Sequence, residues 1–85
     1  MSCFAYILYS PSIDKYYIGH TCDLLPERLR KHNANHKGFT GKANDWQFAL
    51  TEEYKSKSEA YRRELQIKKW KSRKRIEALI KESKQ

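Results

Sequence analysis

Eighty-five residues, 39% of them hydrophobic and 13% aromatic, make one small domain, residues 1–85, whose thin core must lean on aromatic side chains. That apolar fraction excludes wholesale disorder, and the apolar run Cys3 to Tyr9 is too short for a signal peptide or a membrane span. The formal net charge is +8, and the excess lies late: residues 1–54 hold six Lys/Arg against six Asp/Glu, residues 55–85 twelve against four.

A localised basic surface suits a polyanion, most often nucleic acid. The plainer alternative is a solvated helical face that keeps a small protein soluble. Cys3 and Cys22 have no metal-type spacing and are too few for a disulfide framework. The expectation is a soluble, cytoplasmic monomer with reduced thiols and no membrane contact.

In chain order, Cys3 to Tyr9 is rich in aromatic and β-favouring residues, which suits a strand buried on both faces. Ser10-Pro11-Ser12-Ile13-Asp14 is turn chemistry, and Lys15 to His20 forms a second strand, so a hairpin with a five-residue loop is expected. That strand ends on Gly19, where a missing side chain lets another group come close. Tyr17 shares the face of Gly19, because strand side chains alternate.

Asp23 is a candidate N-cap, and Pro26 is tolerated in the first turn of a helix that should run to about Ala34. Asn35 to Asp45 reads as a mobile loop, and Trp46 to Tyr54 as a third strand. Ser56-Lys57-Ser58-Glu59 fits a capping box that opens a second helix. Its apolar arc takes in Ala60, Tyr61, Leu65 and Ile67, and the phase breaks near Trp70-Lys71-Ser72. A last helix carries Ile76, Leu79 and Ile80 inward. The order β-β-α-β-α-α gives an α+β fold with helices on a three-stranded sheet.

Four polar residues fall on core-facing stripes: Arg28 and His32 on the first helix, Glu64 and Lys68 on the second. Charge there costs free energy unless it is paired, hydrated or metal-bound. One reading is structural pairing, of Glu64 with Arg28 or with Lys68 one turn on. The other is that the stripes face a cleft, with Glu64 holding a magnesium ion and Arg28 a phosphate. His32 and His36 are four apart, but no third ligand has fitting spacing, so no zinc site is expected. No phosphate loop or nucleophile elbow is present.

Taken together, Tyr6-Ile7-Leu8, Tyr17-Ile18-Gly19, Arg28 with His32 four later, and Glu64 on a later helix resemble the GIY-YIG nuclease domain, closest to its small stand-alone bacterial members. Gly38-Phe39-Thr40 and the stretch Ala60 to Ile80 are similar to that subgroup. The resemblance implies a three-stranded antiparallel sheet flanked by three helices. It implies hydrolysis of DNA phosphodiesters with a single divalent cation, Mg2+ or Mn2+, in a repair or recombination setting. Carried over by position, Tyr6 and Tyr17 are the motif tyrosines, with Tyr6 favoured for water activation. Arg28 would stabilise phosphoryl charge, His32 would position or shuttle a proton, and Glu64 would bind the metal. Gly19, His20 and Lys68 would lie along the substrate path. Ala5 stands where the family usually has glycine. The alternatives are a nucleic-acid-binding module without turnover, or an interaction subunit of a repair complex.

Overall fold

The computed structural model describes residues 2–34 and 37–83. Strands β1 (Cys3–Ser10), β2 (Lys15–Thr21) and β3 (Gln47–Tyr54) form one antiparallel sheet in the order β2-β1-β3. The helices are α1 (Leu25–Ala34), α2 (Lys57–Trp70) and α3 (Arg73–Ser83). This is the expected α+β fold in the expected β-β-α-β-α-α order. The central place of β1 explains its composition, since a strand with neighbours on both edges and helices on both faces has no solvent side.

Alternation along β1 sends its side chains to two different cores. Ile7 packs with Leu50, Ile67 and Ile80 beneath α2 and α3, joined by Ile18, Trp70, Ile76 and Leu79. Tyr6 and Leu8 pack with Trp46 on the other face, joined by Tyr17, Leu29 and Phe48. The first core is aliphatic. The second is aromatic and carries hydroxyl, imidazole and indole groups that need partners.

The helix signals resolve unevenly. Ser56 is the N-cap of α2, and its Oγ accepts from the Glu59 amide at 3.3 Å, as the capping box implies. Lys71, at φ 48°, takes the left-handed conformation that ends α2 where the phase breaks. Asp23 does not cap α1. The helix opens after Leu24, whose carbonyl accepts from the Arg28 amide at 3.0 Å, while the Asp23 carboxylate reaches Lys31 at 3.7 Å. The buried stripe of α2 is narrower than its periodicity implies: Ala60, Glu64 and Ile67 are buried, whereas Tyr61 and Leu65 are 46% and 40% exposed. The sheet beneath has only three strands, too few to cover a wide arc.

The hairpin turn has four residues, not five, because Ser10 already pairs with Lys15. Residues 37–45 are more ordered than their composition suggests. A 3-10 turn, Thr40–Lys42, buries Thr40, and Asp45 accepts from the Ser12 amide at 2.9 Å and from the Ser10 hydroxyl. Asn35 and His36, and with them the His32/His36 spacing, lie outside the described residues.

The expectation of reduced thiols fails. Cys3 and Cys22 form a disulfide across a Cα–Cα distance of 4.0 Å. The β1–β2 register sets Phe4 opposite Thr21, so the next residues outward, Cys3 and Cys22, face each other. Nineteen residues of sequence separation conceal a pairing that the hairpin creates.

Candidate active site

The register places Tyr6 opposite Gly19 and Leu8 opposite Tyr17, so both motif tyrosines rise from one face of the sheet. The Tyr6 phenol lies across β2 at Gly19. A Cβ at position 19 would sit 2.6 Å from Tyr6 Oη and 2.7 Å from its Cζ. The glycine is therefore required by close approach: it is the floor on which the phenol rests.

Helix α1 closes over that floor. Its inward stripe brings Arg28 and His32 to the same oxygen. Tyr6 Oη is 2.8 Å from His32 Nε2, and Arg28 Nε donates to it at 3.3 Å. The other ring nitrogen, His32 Nδ1, is 3.1 Å from Thr40 Oγ1. Thr40 is in turn fixed by its carbonyl, which accepts from the Trp46 indole at 2.9 Å. Asn33 brackets the Trp46 backbone, accepting from its amide at 2.8 Å and donating to its carbonyl at 3.2 Å. The Tyr17 ring packs against His32 with centroids 5.1 Å apart.

Burial lowers the His32 pKa to about 4, helped by the nearby Arg28 charge, so the imidazole is neutral near pH 7. A neutral imidazole has one donor and one acceptor nitrogen. Either tautomer makes both contacts; with Nδ1–H donating to Thr40, Nε2 accepts from the Tyr6 hydroxyl. Burial raises the Tyr6 pKa, against the opposing pull of Arg28. In that tautomer the protonated Tyr6 phenol points its proton at His32 Nε2.

Glu64 belongs to a second cluster. His20 pairs with Ala5 in the register and so points to the opposite face from Gly19. There its Nδ1 lies 2.7 Å from Glu64 Oε1, and Lys68 Nζ lies 2.8 Å from Oε2. Of the two pairings the sequence allows, Glu64 with Lys68 forms and Glu64 with Arg28 does not. The buried carboxylate is bridged by two donors, and the Tyr61 ring packs tilted against His20, centroids 5.0 Å apart.

The two clusters meet at the end of β2. A cavity of about 330 Å³ there is lined by His20, Thr21, Cys22, Asp23, Arg28 and Lys57. The Glu64 charge is also among the groups that raise the Tyr6 pKa. On the α1 side a larger cavity, about 470 Å³, opens over Tyr17, Arg28 and His32 toward Arg30, Lys31 and Phe39.

Of the sequence-predicted residues, Tyr6, Tyr17, Gly19, Arg28 and His32 form one assembly, and His20, Glu64 and Lys68 a second beside it. Sequence reasoning missed Thr40 as the partner of His32. The one signal was a threonine next to a glycine-rich turn in an otherwise charged loop.

Among the described residues no three His, Cys, Asp or Glu side chains cluster as a metal site. The described residues offer no closed, all-protein metal cage. A single carboxylate beside an open, cationic cleft does fit magnesium, which keeps several waters and takes the rest of its oxygens from substrate phosphates. Each Glu64 oxygen has a lone pair beyond its present bond, and the Lys68 side chain is half exposed.

A family model described as the GIY-YIG catalytic domain matches residues 2–77. Neither the curated proteins nor the solved structures contain a match to the chain. Among the described residues, no helix is long and apolar enough to cross a membrane. With most of its length matched, the chain belongs to the GIY-YIG family, a nuclease-type domain.

Proposed function

We propose that this GIY-YIG domain is a divalent-metal-dependent endonuclease that hydrolyses DNA phosphodiesters in the service of repair or recombination. The observation that carries the reading is one oxygen, Tyr6 Oη, held between the neutral His32 Nε2 at 2.8 Å and the Arg28 guanidinium at 3.3 Å. Attack on an anionic phosphodiester needs a base for the water and positive charge for the phosphoryl oxygens. The assembly supplies both from one helix and one strand.

In this mechanism the phenol is a relay. His32 Nε2 takes the phenolic proton as Tyr6 Oη takes a proton from the attacking water. A raised phenol pKa makes Tyr6 alone a poor source of base at neutral pH; the neutral imidazole gives the phenolic proton an acceptor, one that burial weakens as a base. Water oxygen bonds to phosphorus, the bond to the leaving oxygen breaks, and that oxygen is protonated from solvent. Arg28 faces the phosphoryl oxygens while its Nε keeps the phenol oriented. Tyr17 walls the site against His32. Glu64 would hold the divalent cation, which when bound supplies Lewis-acid stabilisation of the developing charge. His20 and Lys68 orient the carboxylate, and Lys68 would turn to a substrate phosphate when the carboxylate is taken.

Supercoiled plasmid incubated with Mg2+ or Mn2+ should be nicked by the wild-type protein, and Glu64→Gln should lose at least about a hundredfold of that rate. Equal background from the two proteins would overturn the enzyme reading. A second reading is a DNA-binding module without turnover, favoured by the closure of His20 and Lys68 on both Glu64 oxygens. Binding would then fall with salt and be indifferent to divalent ions and to Glu64.

A further inference from the structure

We infer that the cavity beside Arg28 is a nucleobase site: an unpaired base of the substrate strand stacks on Phe39 while its flanking phosphates meet Arg30 and Lys31. The inference rests on the nuclease reading only for what Arg28 does with the adjacent phosphate.

Phe39 is the central observation. It is a large aromatic side chain in a charged loop, and it is 39% exposed. It is also held in place. Its ring lies nearly parallel to that of Tyr17, at 25° with centroids 6.1 Å apart, and leans on the buried Trp46 at 5.9 Å. Gly38, at φ 73° with nothing within 4 Å of where a Cβ would be, makes the turn that presents the ring. An exposed aromatic that is pre-ordered loses little entropy on stacking with a ligand.

The surroundings select the ligand. The cavity of about 470 Å³ is lined by Tyr17, Phe39, Arg28, Arg30 and Lys31, and by no carboxylate. Lys42 lies over the Phe39 ring, its Nζ 5.1 Å from the centre, where an incoming base displaces the ammonium and leaves it free to meet a phosphate. Arg30 and Lys31 pair with Glu27 and Asp23, but these are exposed pairs of small energy that a phosphate can outcompete. An apolar planar surface ringed by cations matches a flat base on an anionic backbone. Proteins that take single strands combine these two features, because every base has a π-face.

The position gives the site its meaning. Tyr17 and Arg28 belong both to this cavity and to the assembly around Tyr6. A base on Phe39 therefore sits next to the phosphate at Arg28. In a duplex the base must first leave the stack, which costs least where it is already unpaired. The domain would thus prefer single-stranded, gapped or branched DNA to perfect duplex.

The test is fluorescence anisotropy in EDTA, so that no cleavage occurs, with a labelled single-stranded DNA oligonucleotide and the matching duplex. Wild type should bind the single strand more tightly. Phe39→Ala should weaken single-strand binding about tenfold and change duplex binding by less than about twofold. Phe39→Tyr should restore it. Phe39→Leu, which keeps apolar bulk against Trp46 without a π-face, should behave like the alanine variant. The inference is overturned if Phe39→Ala lowers both affinities alike or neither, if leucine serves as well as tyrosine, or if the wild-type protein does not prefer the single strand. A protein that nicks plasmid but gives any of these results refutes the base site alone. One that binds through Phe39 and never nicks refutes the nuclease reading alone.

Discussion

The two faces of the sheet are built by different rules. Beneath α2 and α3, Ile7, Leu50, Ile67 and Ile80 make a dry aliphatic core whose strength is burial. Beneath α1, Tyr6, His32, Thr40 and Trp46 are just as buried but run as a chain of hydrogen bonds, from phenol to imidazole to hydroxyl and from indole to carbonyl. Among the described residues, the buried charged group on the aliphatic face is Glu64, held at the rim by His20 and Lys68. The aromatic face satisfies its polar groups by one another, and so it can hold reactive ones in place. The small domain keeps its aliphatic core on one face and the Tyr6 assembly on the other, with Glu64 at the rim of the aliphatic face.

If that division holds, substitutions on the two faces should separate rate from stability. Tyr6→Phe removes only the oxygen shared by His32 and Arg28, and nicking should fall by about 10²–10⁴-fold, the usual range for lost acid–base work. Thermal melting should show the variant still folded. Ile67→Ala lies on the other face and should cost about 2–5 kcal/mol of unfolding free energy in urea titration, with the rate per folded molecule unchanged. A large rate loss in that variant would mean that the faces are coupled.

Gly19→Ala is the substitution that should damage both. Its Cβ would meet a phenol tethered by two hydrogen bonds, so about 1–3 kcal/mol of stability should be lost together with most of the activity. Alanine tolerated at position 19 would mean that the phenol is free to move and is not held as described.

The smallest effect is one of pH. His32 has its pKa lowered from 6.5 to about 4 in the folded chain, so the unfolded chain binds the proton more readily. Its contribution to stability is complete above pH 6.5 and is lost as pH falls toward 4. At pH 5.5 the linkage amounts to about 1 kcal/mol. Denaturation curves at pH 7.5 and 5.5 should differ by that amount in the wild type and converge in His32→Gln. An unchanged difference in the variant would assign the pH dependence to other groups.

Much of this was legible in the residues themselves. Composition marked β1 as central, Ser56 and Glu59 marked the start of α2, and the stripe positions of Arg28 and His32 marked a face that could not be plain core. The readings that failed share a cause. Asp23 as a cap, Tyr61 and Leu65 as core, and the thiols of Cys3 and Cys22 were judged from local pattern, and each was settled by what lay across from it. A cap depends on where the chain enters the helix, burial on how wide the opposing sheet is, and a disulfide on strand register.

The sequence by itself determined the order of the elements, the family and the roster of polar side chains placed where only a cleft or a partner could accept them. Periodicity and end signals are written in neighbouring residues, so they can be read without the fold. Tertiary structure alone decided that Tyr6 rests on Gly19, that Thr40 orients His32, and that Glu64 is held by His20 from the far side of the same strand. These contacts join residues 8 to 44 positions apart. No local pattern encodes them, because they exist only once the sheet has set its register and α1 has closed over it.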